Sequence, residues 1–319
     1  MRADKQVLFS SHQDNTIDHT LSFGAGGRLS EKLDVDLSAG YYRLHDGRGT
    51  TFTGVNYSGT VPDKYREYDL RTTLGYGHNN RVETYVEYGN KRYYNNRYVI
   101  TPLKIYPQTV TRDVDTIGGG IGFSVQVMPK TSMVLETRYK HFDYKYLSPS
   151  FNLDSYEQRY FAGVNWDATA KTSGRLRLGY TTKRFNDKRN ADYAGLGGEL
   201  GATWNPKVYS TFDLSFRYEP SETDGTGSFI KKAGGGLSWL HEWSSRFSHS
   251  VNVAYSLDRY TGLGTNRRDQ VYETGMGISY QMYEQLRLGL NYGYSYRRSN
   301  VANASFHANH FGFDFAGSM

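Results

Sequence analysis

From Leu286 to Tyr296 every even position is apolar or aromatic, while the odd positions are Arg287, Gly289, Asn291, Gly293 and Ser295. The same contrast separates Phe212, Leu214, Phe216 and Tyr218 from Asp213, Ser215, Arg217 and Glu219. It recurs in Leu176, Leu178 and Tyr180 against Arg175, Arg177 and Gly179, and in Leu70, Thr72, Leu74 and Tyr76 against Asp69, Arg71 and Thr73. Successive side chains of a strand point to opposite faces, so a long period of two gives one face suited to hydrocarbon and one suited to water. That is the signature of a membrane-spanning β-barrel. No apolar run approaches the length that a transmembrane helix needs.

Short turns are expected near Ser30-Glu31-Lys32, Asn79-Asn80, Pro129-Lys130, Thr169-Ala170-Lys171, Asn205-Pro206-Lys207, Ser244-Ser245-Arg246 and Tyr283-Glu284-Gln285. Longer polar loops fall between them, around 45–64, 98–110, 147–153, 185–191, 221–227, 261–268 and 299–304. Membrane barrels put short turns in the periplasm and long loops outside. The strand at 15–28 descends to a short turn, so an ascending strand must precede it, and Lys5–Ser11 is the candidate. The chain is therefore expected to be all-β, a single domain over residues 1–319, and a closed transmembrane antiparallel up-and-down barrel of 16 strands, with 18 as the alternative. A propeller, whose blades also repeat near 40 residues, fits less well, because each span holds two long strands instead of four short ones.

Composition agrees. Glycine (35) and tyrosine (29) are abundant, proline is scarce (7), and only 37% of residues are hydrophobic, which suits walls that face lipid on one side only. Cysteine is absent, which removes disulfides and thiol chemistry. The net charge of +6 is mild, and no nucleic-acid partner is expected. No secretory apolar segment follows Met1, so the start reads as a mature or recombinant one. Trp166, Trp204 and Trp239 lie on the apolar face near short turns. Tyr218, Tyr292, Tyr294 and Tyr296 lie nearer the long loops. Two such belts are expected at the two membrane interfaces.

No constellation calls for catalysis. His45-Asp46 stands beside a long loop, where a His/Asp base could sit, but the dipeptide is common. His249 is flanked by Ser248 and Ser250, which as strand neighbours face the other way. His307 and His310 diverge likewise. Gly24–Gly27 and Gly118–Gly122 open no helix, so they are not phosphate loops. Neither metal nor cofactor is expected. What remains is the polar face. The alternation places Arg71, Arg138, Arg159, Arg175, Arg177, Arg217, Lys232, Arg287 and Arg297 inside, with Asp69, Glu83, Glu87, Glu136, Glu157, Glu199, Asp213, Glu219 and Glu273. These charges can form a paired lattice, or a conduit that touches a passing polar solute.

Three stretches, "YEQRYFAGVNWDATAKTSGRLRLGYTTKRF" (156–185), "GELGATWNPKVYSTFDLSFRYEPSET" (198–223) and "RRDQVYETGMGISYQMYEQLRLGLNYGYSYRRSN" (267–300), resemble the β-barrel porins encoded in bacterial exopolysaccharide and capsule gene clusters. The Tyr-Arg-Arg-Ser-Asn ending, followed by a strand containing Asn309, carries most of the likeness. The chain ends on "FDFAGSM" where outer-membrane proteins typically end on an aromatic. The resemblance implies an integral barrel of the Gram-negative outer membrane, embedded in its lipid. It also implies a role in moving a secreted polysaccharide across that membrane, with a periplasmic polysaccharide export protein as partner. A general diffusion porin, a sheath around a multihaem partner and an outer-membrane enzyme are the competing classes.

Overall fold

The computed structural model describes residues 2–6, 16–46, 61–100, 105–146, 152–169, 171–302 and 304–317. In chain order the strands are β1 (Arg2–Gln6), β2 (Thr16–Arg28), β3 (Leu33–Asp46), β4 (Asp63–Tyr76), β5 (Asn80–Tyr93), β6 (Tyr98–Ile100) and β7 (Ile105–Pro107). They continue as β8 (Val114–Met128), β9 (Thr131–Tyr144), β10 (Ser155–Thr169), β11 (Thr172–Phe185), β12 (Tyr193–Lys207) and β13 (Ser210–Glu222). The last are β14 (Phe229–Glu242), β15 (Phe247–Thr261), β16 (Arg268–Tyr283), β17 (Leu286–Ser299) and β18 (Phe306–Gly317). All but β6 and β7 form one 16-stranded sheet in sequence order, each strand antiparallel to the next. β6 and β7 make a separate hairpin, followed by a single 3-10 turn at Thr109–Arg112. No register joins β18 to β1 among the described residues.

Two boundaries differ from the sequence expectation. The described part of the ascending first strand is Arg2–Gln6, paired with Thr16–Thr20, so it starts three residues before the expected Lys5–Ser11. Lys5 pairs with Ile17; Val7–Ser11 lie outside the described residues. The turn expected at Asn205–Lys207 is Val208-Tyr209 instead. Pro206 lies within the last turn-ward residues of β12, where the register shifts between Trp204 and Lys207. Proline has no N–H to give to a ladder, and such an irregularity is where a sheet tolerates it.

The wall has the two faces that the alternation requires. Leu70, Leu74, Ile117, Leu135, Leu178, Leu214, Phe216 and Leu290 are exposed on the outside, where lipid covers them. Buried or half-buried Glu157, Arg177, Thr181 and Glu199 lie on the inner face. At Gly163 β10 and β11 approach so closely that a Cβ would stand 1.9 Å from the Leu176 carbonyl oxygen. The Arg177 chain crosses the glycine there, at 2.9 Å from the same point.

The apolar core is small and sits inside the barrel at its long-loop end. Phe142, Tyr144, Leu153, Phe185, Tyr193 and Phe229 form one cluster. The β12–β13 pairing stops at Gly198 and Tyr218, and above it the tip of the β13–β14 hairpin leans inward. Phe229 at that tip packs on Phe185, with ring centroids 6.1 Å apart, and on Tyr193, at 5.6 Å. Glu222 on the same tip accepts hydrogen bonds from the Tyr144 hydroxyl and the Lys183 ammonium.

A charged lumen as candidate functional site

The inner faces of β4, β5 and β9 to β13 bring their charges to one cavity of about 460 Å³. Arg71, Arg138, Lys140, Arg159, Arg175, Arg177 and Arg217 line it, with Glu83, Glu87, Glu136, Glu157 and Glu199. Seven cations against five carboxylates leave +2 on this wall. An adjoining space of about 690 Å³ shares Arg175, Glu199 and Arg217 and adds Glu219, Lys232, Asp258, Glu273 and Arg297. There the signs balance, four against four.

Most of these charges are bound to one another. Arg138 reaches Glu136 at 2.5 Å on its own strand and Glu199 at 2.6 Å on β12. Arg159 reaches Glu157 at 2.6 Å and also pairs with Glu219 on β13. Lys140 and Arg71 share Glu87 at 2.7 and 3.2 Å, and Arg71 stacks on Tyr85 at 3.6 Å. Arg177 donates to Asn165 at 2.7 Å and to two main-chain carbonyls. Its Nε lies 3.5 Å from Glu136 without hydrogen-bond geometry. Such pairing offsets the cost of placing ions in a narrow, partly dry space.

Two arginines stand apart from this lattice. Arg175 has no ion-pair partner among the described residues. Arg217 makes only a 3.5 Å contact with Glu219 and keeps 58% of its side chain exposed. Both border both cavities. They are the two cations common to both cavities, and neither is held in a close ion pair.

The polar contacts continue toward the long loops. Arg112, from the 3-10 turn, pairs with Asp46 at 2.8 Å and lies 4.4 Å from the centre of the Tyr93 ring. The Tyr93 hydroxyl donates to Asp46 at 2.8 Å. Burial works against the Arg112 charge, yet Tyr93 and Asp46 hold its pKa above the ordinary value. Asp224, in the loop after β13, has its carboxyl pushed up by burial, partly offset by Arg267 and by the Tyr260 hydroxyl.

Of the residues singled out on the sequence, Arg71, Arg138, Arg159, Arg175, Arg177 and Arg217 converge on the first cavity, and Lys232, Glu273 and Arg297 line the second. Arg287 and Asp213 lie nearer the short-turn end. Asp213 accepts from Thr203 at 2.6 Å, and Arg287 stands opposite Gln281 and Ala316. Trp204, Phe212 and Trp239 form one row across three strands, with ring centroids 5.2 and 5.7 Å apart. Trp166 overlies Gly174. Tyr292 packs on Phe311 and Tyr296 on Tyr272, and Tyr294 stands opposite Thr274 and Asn309. Tyr218 sits where β12 and β13 part, opposite Gly198. His45 is held by Asp18 at 2.9 Å and Asp46 by Arg112, so neither serves the other. Lys140 was legible by alternation from Glu136 and Arg138 but not singled out. Arg112 gave no signal, because it lies in a loop.

Against known proteins, the family model described as "Putative beta-barrel porin 2" matches residues 1–316. No curated protein matches significantly. Among solved structures, the FrpB iron transporter from Neisseria meningitidis (F5-1 variant) is similar at 12% identity with a TM-score of 0.51, over 89% of this chain and 54% of that one. The copper transporter OprC has the same identity and TM-score, over 94% of this chain and 57% of that one. The chain thus spans little more than half the length of either, and the likeness concerns the fold.

Proposed function

Because this chain belongs to the family described as Putative beta-barrel porin 2 and is an integral barrel of the bacterial outer membrane, we propose that its lumen is the export path of a secreted polysaccharide. A periplasmic polysaccharide export protein would deliver the polymer. The observation that carries this reading is the pair of loosely held arginines, Arg175 and Arg217, beside a lattice of largely paired charges. A long polymer needs many weak contacts, since a tight site would stall it. The lattice presents polar groups that are largely paired, and the two loosely held guanidinium groups can bond hydroxyls or carboxylates in passing. An excess of two positive charges favours an acidic or neutral chain over a basic one. On this reading the protein is a conduit and not a catalyst. The metals named for the structural neighbours are not carried over, because 12% identity supports the fold alone.

The test is deletion of the gene in its host, complemented by wild type or by Arg175→Gln/Arg217→Gln, with surface and periplasmic polymer both measured. The expected result is periplasmic build-up and lost surface polymer on deletion, and slowed export in the variant at unchanged barrel level. Undiminished surface polymer after deletion would sink the reading and leave a general diffusion porin as the better choice.

A further inference from the structure

On the outer face of β2 to β5, near the long loops, four basic side chains stand in one row. His19 is opposite Arg43, Arg43 is opposite Arg66, and Arg66 is opposite Arg92. Like charges directly opposite one another destabilise a sheet. One ring bridges the middle pair: Arg43 donates to the Tyr94 hydroxyl at 3.1 Å, and the guanidinium carbons of Arg43 and Arg66 lie 5.4 and 5.3 Å from the Tyr94 centroid. A tyrosine ring attracts cations but carries no charge that neutralises them. Arg92 has its own acid, Asp115, at 2.6 Å. Arg43 and Arg66 have none among the described residues, and both are exposed.

Their height in the membrane is marked. Tyr41 and Tyr68, two residues closer to the middle on the same strands and face, pack ring to ring at 4.9 Å. Leu70 and Leu74 continue the apolar face below them. Tyrosines of this kind sit at the headgroup boundary, so the arginines lie at the level of lipid phosphates in the outer leaflet. Guanidinium groups bind phosphate through paired, charge-assisted hydrogen bonds.

We propose that Arg43 and Arg66, held on either side of Tyr94, form a binding site for a phosphate of a phosphorylated glycolipid in the outer leaflet. The site is independent of what the lumen carries. The test uses the purified barrel with bis-phosphorylated lipid A or its dephosphorylated form, and native mass spectrometry to count bound lipid. Wild type should bind the phosphorylated form at least tenfold more tightly than Arg43→Gln/Arg66→Gln does, and the dephosphorylated form should not distinguish them. Tyr94→Leu keeps both charges but should lose most of that advantage. If the double variant fails to assemble, Arg66→Gln alone is read the same way. Equal binding by wild type and the arginine variants, binding indifferent to phosphate, or full affinity in Tyr94→Leu would each overturn the proposal.

Discussion

Leu178→Arg tests the facing of the wall most directly. Leu178 lies mid-way along β11, opposite Ala162 on β10 and Gly198 on β12, and its side is 61% exposed to the surroundings of the barrel. Its outward neighbours along the strand are Leu176 and Tyr180, so no acid stands near to pair with a new guanidinium. An arginine on the lipid face at the bilayer midplane costs about 2–4 kcal/mol, a loss of roughly 30- to 900-fold in the folding equilibrium. The assay is reversible urea unfolding in lipid vesicles, followed by the fluorescence of the tryptophans, which include Trp166 and Trp204 on the flanking strands. Arg175→Leu, three residues away on the lumen face, removes an unpaired cation and should shift stability by less than about 1 kcal/mol. If Leu178→Arg stays within about 0.5 kcal/mol of wild type, or Arg175→Leu is the costlier change, the inside and outside of the wall have been exchanged in the reasoning.

Arg138→Ala leaves Glu136 and Glu199 without their shared cation. At 25% exposure of the Arg138 side chain, a loss of about 2 kcal/mol is expected, between the values for solvated and buried charged bonds. Glu199→Gln should recover part of it, and strict additivity in the double-mutant cycle would count against the pair. Gly163→Val should cost about 1–3 kcal/mol in the same vesicle assay, because its Cβ meets the Leu176 carbonyl; a neutral valine would deny that close approach. For Asp224, burial raises the carboxyl pKa above 3.8, so the folded loop holds the proton more tightly than the unfolded chain. Its contribution to stability is full below the ordinary value and is lost as pH rises through the raised one. Amides at Gly225–Ser228 should therefore gain protection from hydrogen exchange on acidification, after correction for the intrinsic rate. Asp224→Asn should abolish that dependence, and an unchanged pH profile in the variant would assign it elsewhere.

Period-two alternation is a local property, and what it determines was legible without coordinates: strands, the two faces of each, and the short turns that separate them. The count of 16 followed from parity, since a strand descending at 16–28 needs an ascending partner. Where that partner starts did not follow, because the pairing of Lys5 with Ile17 depends on the register across the hairpin and not on where apolar residues cluster. Pro206 misled for a related reason. It reads as a turn residue, yet an irregular ladder accommodates it within β12.

The lumen divides in the same way. Alternation placed Arg138, Arg159, Arg175, Arg177 and Arg217 inside, because each shares the polar parity of its strand. It could not say that Arg138 meets Glu199, 61 residues away, or that Arg175 and Arg217 are left without a strong partner. Those outcomes depend on the curvature of the sheet and the stagger of its strands, which bring inward side chains from non-adjacent strands within reach of one another. The inward lean of the β13–β14 tip, the seating of Arg112 against Asp46 and Tyr93, and the sharing of Tyr94 by Arg43 and Arg66 are likewise tertiary. Each joins a loop or strand end to a wall far away in sequence, and period-two patterning carries no information about contacts at that range.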